Sequence, residues 1–301
     1  MGDSSSTLTD PGGPAKPPPL DPYFIPPSPP PPPRQPWVRF FVLLGLTFLS
    51  TTYAHSIWYS IPVLAILGAH EFGHYLACRY YRIDASLPYF LPMPFVISGT
   101  LGAFIRIRQP IFRKRELFDI GIAGPIAGFF VAVPLIFIGV YLSNVVPRAE
   151  VLLPGSFEFG DPLLVKFAIW LTFGPTSDAE ILSIHPIGFA GWFGLIITSL
   201  NLFPFGQLDG GHISYAVFGP RAMRLSQITV AALVLLAAFV SLSWIAWAGI
   251  MLVMYFFLGP KHPSVYDEHV PLDSGRMWLA VFAVVMFILC FTPTPISVTE
   301  R

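Results

Sequence analysis

Charge is what this sequence lacks most: only 11% of its 301 residues are Asp, Glu, Lys or Arg, while 54% are hydrophobic. An ordinary soluble domain is about 25% charged, so a soluble globular fold is excluded and repeated crossing of a bilayer is implied. A surplus of either sign is also missing, since Lys plus Arg and Asp plus Glu each number 17. Nothing in that balance marks nucleic acid as a partner. Cysteine is nearly absent. Cys78 and Cys290 stand far apart in apolar stretches, too few for a disulfide framework or a cysteine-built zinc site, and both read as packing residues. Residues 1–36 lack the apolar run of a signal peptide and are dominated by proline, glycine and serine. They read as a disordered cytoplasmic tail, a solvated tether that could also dock a proline-binding module.

Long apolar runs are what the chain has instead. A spanning helix needs about 20 mostly apolar residues, and such runs fall near 37–54, 56–80, 117–142, 186–207, 226–241, 244–259 and 277–296. The expected fold is an all-α polytopic membrane protein of about seven transmembrane helices, with 37–301 as one membrane-embedded domain. Segments 87–105 and 162–173 are apolar but broken by Pro and Gly or too short, and read as re-entrant or interfacial. Basic residues orient the bundle. Lys16, Arg34 and Arg39 lead into the first span, Arg79 and Arg82 follow the second, and Arg106, Arg108, Arg113, Lys114 and Arg115 precede the third. The loop 143–185 is acidic by contrast, with Glu150, Glu158, Asp161, Asp178 and Glu180. By the positive-inside rule the N-terminus is cytoplasmic and the C-terminus outside.

Against this background "HEFGH", residues 70–74, is out of place. Residues four apart share a helix face, so His70 and His74 can aim ring nitrogens at one ion, and zinc suits such donors. Glu71 follows by about 100° of rotation, beside the ion and able to take a proton from a metal-held water. Two imidazoles and a carboxylate at membrane depth are costly unless liganded or paired. A proton relay of an ion-coupled transporter, built from His70, Glu71, His74 and Asp209, would meet the same cost and is the rival reading. The second polar cluster is "NLFPFGQLDGGH", residues 201–212, at the cytoplasmic end of the fourth span. Asp209 there offers the third ligand a zinc site needs; its plainer role would be to cap the helix that follows. Pro204 and Gly206 would break the span and carry Asp209 toward the ion.

Together "HEFGH" and Asn-x-x-Pro followed by "LDGG" resemble the site-2 protease family of intramembrane zinc metalloproteases. The similarity extends to "SGTLGAFIRI" (98–107) and "GIAGPIAG" (121–128), and is nearest to forms known from bacteria and plastids. The resemblance implies that His70, His74 and Asp209 bind Zn2+ and that Glu71 activates the water. It also implies that the substrate is a transmembrane or membrane-proximal segment of another protein, cleaved within the lipid bilayer. Asn201 matches an asparagine that would hold substrate or the developing oxyanion, although an interhelical hydrogen bond is a sufficient role for it. Many members carry a PDZ domain in the outer loop, for which 143–185 leaves no room, so access would fall to another device or a regulatory partner. His212 could touch the site or be a turn residue.

Three further expectations concern substrate handling and place. The strand-like "FVIS" and "AFIRI" suggest a re-entrant hairpin whose edge adds the substrate as a strand, with a surface loop as the alternative. Gly124 and Gly128, at GxxxG spacing, read as helix packing. Gly188, Gly191 and Gly194 would let the fourth span approach the second. The expected location is the cell inner (plasma) membrane, a plastid membrane being disfavoured for want of a transit peptide.

Overall fold

A computed structural model describes residues 36–148, 157–175, 177, 179–257 and 265–298. The tail expected over 1–36 lies outside them except for Pro36. The chain is mostly helical. Helices α1 (Trp37–Ala54), α2 (Ile57–Tyr80) and α3 (Lys114–Tyr141) come first, followed by α4 (Leu163–Phe173), α5 (Pro186–Asn201) and α6 (Asp209–Phe218). A single 3-10 turn leads from α6 into α7 (Ala222–Phe239), and α8 (Trp244–Phe257) and α9 (Ser274–Cys290) close the series. At 1.5 Å per residue α2 is about 36 Å long and α3 about 42 Å, more than the roughly 30 Å hydrocarbon core. Among the described residues, four helical stretches, 37–54, 57–80, 114–141 and 209–239, are long and apolar enough to cross a membrane. The runs at 186–207 and 277–296 form shorter helices. Pro204 and Gly206, the latter with φ of +51°, divide α5 from α6. Past Cys290 the backbone turns extended into "FTPTP", whose prolines cannot continue a helix.

Helix α3 is the centre of the bundle, packed along α2 on one side and along α5 and α6 on the other. The core between them holds Tyr59, Ile66, Phe118, Ala132, Ile136 and Leu195, all at most 2% exposed. Lipid is as apolar as these side chains, so close backbone approach decides the packing. A Cβ at Gly139 would fall on the backbone of Gly188. The glycines of α5 divide their work: Gly188 and Gly191 face Gly139 and Ile136 of α3, and only Gly194 faces α2, at Ile66.

Between α2 and α3 the chain forms an antiparallel hairpin of β1 (Tyr89–Pro92) and β2 (Thr100–Phe104). The first strand is "YFLP", and the strand-like "FVIS" forms the turn instead. Pro92 and Pro94 flank the end of β1 and lack the N–H a ladder needs. Gly99, at φ +69°, lies so close to α1 that a Cβ would stand 2.7 Å from the Thr51 Cα. The hairpin starts beside the end of α2, where Ile83 N–H donates to the Cys78 carbonyl at 2.8 Å. Its tip is held at the opposite end of α2. There Tyr59 donates to the Ser98 carbonyl at 3.1 Å and Ser50 to the Gly99 carbonyl at 2.6 Å.

At that same end of the bundle β3 (Asn144–Pro147) pairs with β5 (Glu180–Ser183), and β4 (Phe157–Phe159) with β6 (Ile296–Val298). The other end carries ionic ties. Arg276 donates to Asp119 at 2.5 and 2.8 Å, joining α9 to α3, and the buried Lys114 holds the carbonyls of Glu268 and Val270.

Candidate metal centre

His70 and His74 lie one turn apart on the face of α2 that meets α3, with exposures of 4% and 7%. Burying two rings against a neighbouring helix requires that helix to have no side chains there. Gly124 and Gly128 of α3 supply the gap: a Cβ at Gly124 would coincide with the His74 imidazole, and one at Gly128 would stand 3.2 Å from His70 Cβ. The four-residue spacing of the glycines matches that of the histidines.

Asp209 arrives from a third direction. After Asn201 the chain turns through 202–208 and re-enters helix at Asp209, the first residue of α6, with Leu208 in the capping position. Asp209 is therefore not the helix cap, and its carboxylate is free to point at the histidines. The turn folds back so tightly that side chains at Gly210 and Gly211 would strike the carbonyls of Leu202 and Gly206. The carboxylate oxygens lie 3.2 Å from His70 Nε2 and 3.3 Å from His74 Nε2, and the two nitrogens are 3.1 Å apart. Two donors on one tetrahedral zinc stand about 3.3–3.4 Å apart, so each of these pairs has the spacing of neighbouring ligands, and one ligand atom from each residue lies within 4.8 Å of the others. The His74 Nδ1–H donates to the Ile120 carbonyl at 2.7 Å, which fixes the tautomer and leaves the Nε2 lone pair toward the donor cluster. Among the described residues, His70, His74 and Asp209 are the group able to hold a metal.

Glu71 is 7% exposed and stands outside that donor group. Ile105, just past β2, packs against the cluster of Cys78 and Ile120, and the Ile120 carbonyl holds His74, so the hairpin reaches the site. The Asn201 amide lies 3.2 Å from His70 Nε2. His212 sits in α6, where a Cβ at Gly121 would stand 2.8 Å from its own; it belongs to a helix and not to a turn. Sequence reasoning missed the Ile120 carbonyl and the role of Gly124 and Gly128. The shared four-residue period was the available signal for the glycines.

Two helix-borne histidines, a carboxylate beside them and an adjacent buried glutamate, set among helices long and apolar enough to cross a membrane, make a candidate metal site of a membrane-type fold. No solved structure matches the chain. The sequence pattern of Peptidase family M50 matches residues 58–245, and the chain belongs to that family, the site-2 proteases. It is similar to the probable zinc metalloprotease EGY2, chloroplastic, of Arabidopsis thaliana, 29% identical over 78% of this chain and 41% of the relative. It is also similar to the probable zinc metalloprotease EGY1, chloroplastic, of the same plant, 31% identical over 77% and 42%. For the EGY3 of Oryza sativa subsp. japonica the figures are 29%, 76% and 40%. The chain thus spans about two fifths of the length of these relatives. No PDZ domain is detected.

Proposed function

We propose that this chain is an intramembrane zinc endopeptidase that cleaves transmembrane or membrane-proximal segments of protein substrates. The observation that carries the reading is the convergence of His70 Nε2 and His74 Nε2, 3.1 Å apart, on the Asp209 carboxylate, whose Oδ2 lies 3.2 Å from the first and whose Oδ1 lies 3.3 Å from the second, with Glu71 buried beside them. In this reading His70, His74 and Asp209 are the ligands. Zinc, when bound, would polarise a water and the scissile carbonyl. Glu71 takes the proton from that water as the peptide bond is attacked and returns it to the leaving amine. Asn201 donates its amide to the substrate's carbonyl oxygen. The open edge of β2 binds the substrate in extended form, freeing its peptide bonds from helical hydrogen bonds.

The finer architecture follows from the same reading. Residues 37–301 act as one membrane domain of about seven spans, counting α5, α8 and α9 as short ones. The hairpin is re-entrant, since it runs from one end of α2 to the other. The site faces the side of the basic loops, which is the cytoplasm if the membrane is the inner (plasma) membrane. The names of the relatives favour a plastid membrane, and fractionation of the tagged protein decides between the two. The loop 143–185 leaves no room for a PDZ domain, so in this reading substrate access falls to the hairpin or to a regulatory partner.

Metal analysis of the purified protein tests the reading. Wild type should carry about one zinc per chain and cleave a membrane reporter. Glu71→Gln should keep the zinc and lose about 10²- to 10⁴-fold in rate, and Asp209→Ala should lose the zinc. A zinc-free wild type that moves protons or ions would establish the relay instead.

A further inference from the structure

A groove of about 630 Å³ opens between the hairpin tip, α5 and α8. Its walls include Leu101 of β2, Phe193 and Leu200 of α5, and Trp247 and Ile250 of α8, and no charged residue lines it. Both long walls lead to the candidate site. Leu200 directly precedes Asn201, whose amide touches His70. Along β2, the Arg106 backbone faces Ser86, where Ser86 N–H donates to the Arg106 carbonyl at 2.9 Å. Alternation along the strand then turns the backbone groups of Ala103 and Ile105 to the opposite edge, and Ile105 packs beside Ile120, whose carbonyl holds His74.

An acyl chain would satisfy the apolar walls but could not pair the N–H and C=O groups of that edge, which hydrocarbon leaves unsatisfied. An extended apolar peptide does both at once. Ile105 and Leu101 are four residues apart, at most about 13 Å along an extended chain, with a register irregularity at Gly102 (φ +97°) between them. We infer that the groove is the subsite for substrate residues three to five positions from the cut, on the side that runs toward the hairpin tip. It selects large apolar side chains and rejects charged ones, with Leu101, Phe193 and Trp247 as specificity-determining residues. The inference rests on the protease reading above.

The test uses zinc-loaded protein in vesicles of phosphatidylethanolamine and phosphatidylglycerol, with single-span reporters whose apolar span contains an Asn-Pro break. Once the cut is mapped by mass spectrometry, positions three to five on each side are replaced in turn by Asp, Ala and Phe. Asp at these positions on one side should raise KM at least tenfold with kcat nearly unchanged, and Phe should restore it. Trp247→Ala should weaken that discrimination. In Glu71→Gln, a photoreactive side chain at position 250 should attach to the same stretch of the reporter. Cleavage indifferent to these positions, or attachment to phospholipid alone, overturns the subsite. Attachment to the reporter's apolar stretch with no cleavage by zinc-loaded wild type supports the groove and overturns the protease reading.

Discussion

A methyl group at position 124 has nowhere to go, because a Cβ there would occupy the His74 ring. The ring cannot simply turn aside, since its Nδ1–H is committed to the Ile120 carbonyl at 2.7 Å. Gly124→Ala must therefore tilt the imidazole or part α2 from α3. Zinc affinity, measured by competition with a chelator, should fall about 10- to 100-fold, the usual cost of disturbing a ligand's support. Gly128→Ala is the control. Its Cβ would meet His70 at 3.2 Å, a contact that a few tenths of an ångström relieve, so affinity should change only a few-fold. Equal effects of the two substitutions would show that the glycines serve general helix packing and not the seat of one ring.

At the scale of an element, the hairpin has one edge paired and one open, and the two respond to proline differently. Arg106 turns its backbone to Ser86, and by alternation Phe104 turns its N–H to β1 as well, so Phe104→Pro should loosen the hairpin and lower thermal stability together with cleavage. Ala103→Pro removes an N–H on the open edge. Cleavage should drop at least about tenfold, the worth of one net hydrogen bond or slightly more, while the melting temperature holds. Indifference at both 103 and 105 would end the strand-addition reading. The glycines of α5 belong to this scale too. They were expected to bring α5 to α2, yet two of the three serve α3, because α5 packs more extensively along α3 than along α2.

For the whole molecule, the end away from the basic loops is closed by two small sheets and by α4, and Asp161 lies there between β4 and α4. Burial pushes its carboxyl up to about 6, against the pull of Lys166 and with a further push from Glu158. The folded state thus holds a proton that the unfolded chain releases near its ordinary value of 3.8. Stability from this group is fully present below that value and is lost as pH rises through about 6. At about 1.4 kcal/mol per pH unit the loss amounts to roughly 2–3 kcal/mol. Melting temperature followed from pH 4 to pH 8 should therefore fall more in wild type than in Asp161→Asn, and parallel curves would remove Asp161 as the cause.

Much of this was legible in the residues themselves. Low charge and long apolar runs required a membrane protein, and spacing alone puts His70 and His74 on one helix face with Glu71 beside them, since helical geometry is local. Pro204 and Gly206 announced the break after α5 for the same reason. What the sequence could not decide depended on contacts between distant segments. That Asp209 begins α6 and meets two histidines of α2, and that Gly124 makes room for His74, were settled by the packing of α3 against α2 and α6; that "FVIS" turns while "YFLP" pairs was settled where the hairpin tip meets α1 and the start of α2. A one-dimensional pattern carries periodicity, whereas the meeting of two faces more than a hundred residues apart is fixed by how closely helix backbones can approach in three dimensions.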